Sequence, residues 1–142
     1  MKVFFAAPIL FAACIFSHHA LAFGALSVAE PSDVANDGYP NGIAYNFKTA
    51  PEAEERAQHE CAQLAQGPAK TRKECKIVRT FENQCVVVAL DPVKGTPGAG
   101  WSVADTLVNA RREALERCEQ TAGAPRRGEC RISAEGCDGK AK

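Results

Sequence analysis

The sequence predicts an α+β fold: two duplicated β-β-α-β units packed as one small disulfide-stabilised domain. Three observations lead there. Strand-like and helix-like runs follow one another in the same order twice. Two Ala-rich helical stripes each end in a cysteine, Ala53-x-x-x-Ala57-x-x-x-Cys61 and Ala110-x-x-x-Ala114-x-x-x-Cys118. Each stripe is followed by a matching strand entry, Glu74-Cys75-Lys76-Ile77 or Glu129-Cys130-Arg131-Ile132, and then by Cys85 or Cys137. The expected domain covers residues 23–137, with halves at about 23–84 and 85–137 and a tail at 138–142, of which Gly139–Lys142 is expected to fray.

The first residues stand apart from this pattern. Lys2 precedes an apolar run, Val3–Phe16, and Ala20-Leu21-Ala22 has the small-x-small form of a cleavage site. Residues 1–22 are therefore expected to be a cleaved signal peptide, since the run is too short to span a membrane. Lipid attachment at Cys14, within Phe11-Ala12-Ala13-Cys14, is the alternative. Either way the chain is expected to be exported, to the periplasm or the extracellular space. Without Lys2 it carries 16 basic against 17 acidic residues, so no global charge points to nucleic acid.

With Cys14 removed, Cys61, Cys75, Cys85, Cys118, Cys130 and Cys137 remain. An even set in an exported chain implies three disulfides. There is no Cys-x-x-Cys, and His59 is the one histidine beyond the leader, so zinc-ligand spacing is missing and no cofactor is implied. Six cysteines allow 15 pairings, and survival under exchange of the halves leaves about half of them. Among those the expectation is Cys61–Cys75, Cys118–Cys130 and Cys85–Cys137, the last joining equivalent positions.

Taken in order, Phe23–Ala29 alternates as a first strand, and Glu30–Asn41 is a turn-rich surface connection. Gly42–Phe47 is a second strand. Thr49 caps a helix with Glu52 as its capping-box partner and Pro51 in the first turn; its stripe of mostly small side chains is Ala50, Ala53, Ala57, Cys61 and Leu64, and Gly67-Pro68 ends it. A basic loop, Lys70-Thr71-Arg72-Lys73, leads to Lys76–Phe81, a third strand. Cys85–Leu90 is apolar throughout, as in a strand buried on both faces. Asp91–Gly98 is a loop and Gly100-Trp101-Ser102 a short strand. The second helix is capped from Ser102 or Thr106 and presents Val103, Leu107, Ala110, Ala114 and Cys118, with Glu113–Arg117 and Arg112–Glu116 as i,i+4 pairs. Gly123 and Pro125 stop it, and Cys130–Ser133 is the last strand.

Several stretches together resemble the bacterial secreted family called domain of unknown function 4189. They are the leader, Gly24-Ala25-Leu26-Ser27-Val28, Gly42-x-Ala44-Tyr45 before the first helix, Cys75-Lys76-Ile77-Val78-Arg79-Thr80-Phe81-x-Asn83-x-Cys85, and Gly98-x-Gly100-Trp101 before the second helix. The resemblance implies export, disulfides and duplication. It brings no activity and no catalytic residues.

A hydrolase requires a nucleophile, a base and an orienting group. With the disulfides formed no thiol is free, and no Gly-x-Ser-x-Gly is present. His59 lies off the Ala57/Cys61 stripe and is expected on the surface. The functional lead is basic: Lys70, Arg72 and Lys73 after the first helix, and Arg126 and Arg127 at the same place after the second. Together with Lys76 and Arg131 these are candidate contacts for an anionic partner: envelope lipid, acidic glycan or an acidic protein face. Cations also favour helix C-termini for purely local reasons. The expected function is thus a non-enzymatic exported binding domain. An inhibitor or immunity-type protein against a secreted enzyme ranks second, and a small hydrolase third.

Overall fold

The computed structural model describes residues 22–142. The expected signal peptide and the alternative anchor at Cys14 lie on residues 1–21, outside the described residues. Six strands form two antiparallel sheets. Strands β1 (Phe23–Val28), β2 (Asn41–Phe47) and β3 (Lys76–Glu82) pair in the order β2-β1-β3; β4 (Cys85–Leu90), β5 (Ala99–Ala104) and β6 (Arg131–Cys137) pair as β5-β4-β6. In each sheet the first strand is central and the helix-flanked second strand is at the edge.

Alternation along the central strands sets the layering. Leu26 and Val28 of β1 face Val86 and Val88 of β4, and Phe81 joins them in a core between the sheets. The opposite face of β1 offers Ala25, which packs with Ala44 against Ala53 and Ala57 of α2 (Ala50–His59). The opposite face of β4 offers Cys85, Val87 and Ala89 to Ala110, Ala114, Cys118 and Ala122 of α4 (Leu107–Ala122). The layers thus run helix, sheet, sheet, helix. Leu26, Val28, Val86 and Val88 are fully buried, and such side chains each contribute roughly 1.5–3 kcal/mol. The helices meet the sheets through alanine and glycine, so their backbones approach closely.

Both helices are capped by threonine. Thr49 Oγ1 accepts from the Glu52 amide, and Thr106 Oγ1 accepts from the Asn109 amide. The Glu52 carboxylate takes a hydrogen bond from the Thr49 hydroxyl rather than from its amide, so the expected capping box is only half made. Helix α2 runs into a π-helical turn, Glu60–Leu64. Three disulfides are closed: Cys61–Cys75, Cys118–Cys130 and Cys85–Cys137. The first two tie a helix end to the next strand across sequence separations of 14 and 12, about 3 kcal/mol each by loop entropy.

Several expectations are corrected. The connection Glu30–Asn41 holds a helical turn, α1 (Val34–Asp37), because the Asp33 carboxylate caps the Asn36 amide. The segment at Lys70–Lys73 is not a loop: Ala69–Arg72 is a short helix, α3, started by Pro68. Val103 belongs to β5, where it pairs with Val86, and not to the α4 stripe. Arg112 pairs with Glu116, but Glu113 accepts the Ser102 hydroxyl and Arg117 donates to the Trp101 carbonyl, so no Glu113–Arg117 bridge forms. Strand β6 extends to Cys137, because β4 offers partners along its whole length. The tail is not frayed. Asp138 is buried, and the Leu107 amide donates to the Lys142 carbonyl.

Candidate functional site

The two sheets present the same end to the same side. In the first sheet Val28 pairs with Asn41 and Lys76 at one end, and Phe23 pairs with Phe47 and Glu82 at the other. In the second, Leu90 pairs with Ala99 and Arg131 at one end, and Cys85 pairs with Ala104 and Cys137 at the other. Asn41 and Leu90 line one open cleft of about 750 Å³, so their ends coincide. The cleft is bounded by residues 34–41, 64–68 and 90–96, together with Ser133 and Ala134. Both sheets therefore contribute loops to it.

The two basic turns flank this cleft. On one side α3 is fastened by Lys70, whose Nζ lies 2.5 Å from Asp37 Oδ1; that hydrogen bond raises the Lys70 pKa. On the other side Arg126 grips Asp91 through two hydrogen bonds of 2.8 Å. The Asp91 side chain is buried, and the Arg126 hydrogen bonds hold its pKa at about 2. Asp91 also accepts from the Val93 amide, which shapes the loop wall.

The five sequence-chosen cations divide accordingly. Lys70 and Arg126 are spent on carboxylates of the protein itself. Arg72 donates through Nη1 to the Gln63 carbonyl at 3.0 Å, while its buried Nε has no partner among the described residues. Lys73 and Arg127 are exposed and form no ion pair among the described residues. The turns are thus brought to one end, but only two of the five residues present an uncommitted charge.

Three further cleft residues escaped the sequence reading. Lys94 is exposed in the loop after β4 and has no ion pair among the described residues. Leu64 and Val93 are 64% and 51% exposed on different wall segments of the cleft. Helical spacing places Leu64 on the buried stripe, three residues past Cys61. The π turn, with the Ala65 amide donating to the Glu60 carbonyl, breaks that spacing and leaves Leu64 outside. Val93-Lys94 carried a weak signal, an apolar–basic pair at the tip of a Pro- and Gly-rich loop.

His59 is exposed beside Glu52, Glu55 and Arg56 and has no hydrogen-bond partner among the described residues, while Arg56 pairs with Glu60. Trp101 is half-buried at the edge of the inter-sheet core. Its Nε1–H donates to Glu30, which also accepts from Tyr39, and the Arg117 guanidinium lies 5.6 Å from its ring centre. Burial, with Glu30 beside it, pushes the Tyr39 pKa up. Tyr45 is 43% exposed, its ring laid over Gly136. Among the described residues no cluster of His, Cys, Asp and Glu is grouped to hold a metal. No described helix is long and apolar enough to cross a membrane.

A family model described as "Domain of unknown function (DUF4189)" matches residues 23–137. The chain belongs to that family. No curated protein and no solved structure matches it. The matched DUF4189 region begins at β1 and ends at Cys137, so it takes in both sheets, all three disulfides and every cleft wall.

Proposed function

We propose that the protein is exported and acts as a disulfide-braced binding domain without enzymatic turnover, engaging its partner through the loop-built end. One observation carries this: the two basic turns, far apart in sequence, flank a single cleft. Loops on a cross-linked frame suit recognition, because little ordering remains to be done on binding. The ion pairs of the protein also support binding over chemistry, because they serve to hold segments in place. Asp91 with Arg126, Asp37 with Lys70 and Glu135 with Arg111 are ion pairs that fasten segments together. The disulfides and the apolar leader support export.

We also propose that the halves arose by duplication of one β-β-α-β unit. In support, β2-β1-β3 and β5-β4-β6 have the same order, and Gly42 and Gly100 meet equivalent points of α2 and α4.

The test is capture from culture medium and periplasm by the oxidised protein and two variants. Lys73→Ser/Lys94→Ser/Arg127→Ser removes three exposed cations of the cleft end that form no ion pair among the described residues; Lys48→Ser/Lys140→Ser removes two at the far end. Loss of capture confined to the first variant is expected. Equal capture by both variants overturns the assignment of the surface. A turnover activity that disappears in His59→Ala overturns the non-enzymatic part.

A further inference from the structure

Four large apolar side chains are exposed among the described residues, and two of them, Leu64 and Val93, stand on the walls of the cleft described above. They do not form a continuous patch. Leu64 follows exposed Gln63 and precedes Ala65-Gln66; Val93 sits between Pro92 and Lys94. A protein interface of ordinary affinity has a contiguous apolar centre inside a polar rim. This end instead carries two separate aliphatic tips among long cationic side chains.

Charge is concentrated here as well. Segments 30–41, 64–76, 90–98 and 124–131 hold eight Lys and Arg against six Asp and Glu, whereas the chain from Phe23 onward holds 16 against 17. Asp37 and Asp91 are paired with Lys70 and Arg126, Glu30 accepts from Tyr39 and Trp101, and Asp33, Glu74 and Glu129 are exposed, so the end keeps a net excess of two positive charges. Lys73, Lys94 and Arg127 face water without an ion pair among the described residues.

We propose that this end docks on an anionic phospholipid bilayer, a partner that rests on the binding role proposed above. Leu64 and Val93 enter the boundary between headgroups and acyl chains, where an aliphatic side chain sheds its water. Lys73, Lys94 and Arg127 lay their stems along that boundary and bring their charges to the lipid phosphates. A soluble polyanion uses the cations and gains nothing from the two aliphatic tips. A bilayer uses both and requires no shaped pocket.

Flotation of the purified oxidised protein with vesicles tests this. Phosphatidylcholine vesicles are compared with vesicles containing about one-third phosphatidylglycerol, a composition that supplies the anionic surface. Binding is expected only to the anionic vesicles. Lys73→Ser/Lys94→Ser/Arg127→Ser lowers partitioning on the order of a hundredfold. Leu64→Ser/Val93→Ser lowers it roughly tenfold. Val108→Ser, at an exposed apolar residue away from the cleft, leaves it unchanged. No binding to anionic vesicles overturns the proposal, as does binding indifferent to Leu64→Ser/Val93→Ser. If vesicles fail while lipid-free envelope proteins are still captured through the same cations, the bilayer is excluded and the binding role stands.

Discussion

Asp138 Oδ1 accepts the backbone N–H of Asn46 at 2.7 Å, joining the C-terminal tail to the end of β2 across 92 positions of sequence. Its other oxygen accepts the Asn83 amide at 3.2 Å. Asn46 and Asn83 both have positive φ, 63° and 51°, which asparagine tolerates better than most residues. Each asparagine side chain in turn accepts from the tail, Asn46 Oδ1 from the Gly139 N–H and Asn83 Oδ1 from the Lys140 N–H. The buried carboxylate thus locks two turns and the tail at the end remote from the cleft. Asp138→Ala strands two amides and is expected to lower unfolding stability by about 3 kcal/mol in urea with the disulfides intact. A loss under about 0.5 kcal/mol would show that water replaces the carboxylate without penalty.

Gly42 and Gly100 hold equivalent places against the two helices. A Cβ at Gly42 would lie 2.5 Å from Cys61 N, and one at Gly100 would lie 2.5 Å from Cys118 N. These neighbours are helix backbone, so only a shift of the whole helix makes room. Gly42→Ala and Gly100→Ala are each expected to destabilise by about 3 kcal/mol, the upper part of the usual overpacking range. Thermal unfolding with the disulfides intact reads this directly. Neutral behaviour at both positions would mean that the helices ride farther from the sheets.

The alanine and cysteine stripes made the helix–sheet contact legible, because small side chains at helical spacing admit only a close neighbour. The apolar run Cys85–Leu90 likewise announced a central strand. What escaped depended on partners distant in sequence. Asp138 looks like a solvated tail residue until Asn46 and Asn83 are brought beside it. Lys70 and Arg126 look available until Asp37 and Asp91 claim them. Leu64 continues the buried stripe in sequence, and only the π turn after His59 moves it into solvent. Whether the basic turns share a surface depended on both sheets presenting the same end, a relation between layers that periodicity along one strand does not encode.

The Asp91–Arg126 pair gives stability a definite pH dependence. Arg126 lowers the folded-state Asp91 pKa to about 2, below the ordinary 3.8. A depressed carboxylate contributes stability above its unfolded value and loses it as protons bind the folded form. The contribution is therefore complete above about pH 4 and declines as pH falls toward 2. Arg126→Met is expected to flatten stability against pH in that window and to change little of its shape above it. Denaturation midpoints at pH 2, 3, 4 and 6 for both proteins make the comparison. A parallel offset at every pH would assign the effect of Arg126 to packing alone.

The three disulfides differ in access. Cys61, Cys75, Cys118 and Cys130 are all buried, whereas Cys137 is partly exposed opposite buried Cys85. A reductant must reach a sulfur atom before exchange begins. Cys85–Cys137 is therefore expected to open first under limiting reductant in native buffer. The other two bonds should require opening of a helix end. Opening this bond removes the cross-link of the longest loop, with a sequence separation of 52 and a loop-entropy contribution of about 4 kcal/mol. Strand β6 still pairs with β4 along its length, and Asp138 still holds Asn46 and Asn83. The singly reduced protein should consequently remain folded but melt at lower temperature. Timed alkylation with peptide mass mapping identifies the first bond to open, and circular dichroism of the trapped species reports its fold. Simultaneous loss of all three bonds would place reduction after global unfolding and remove access as the deciding factor.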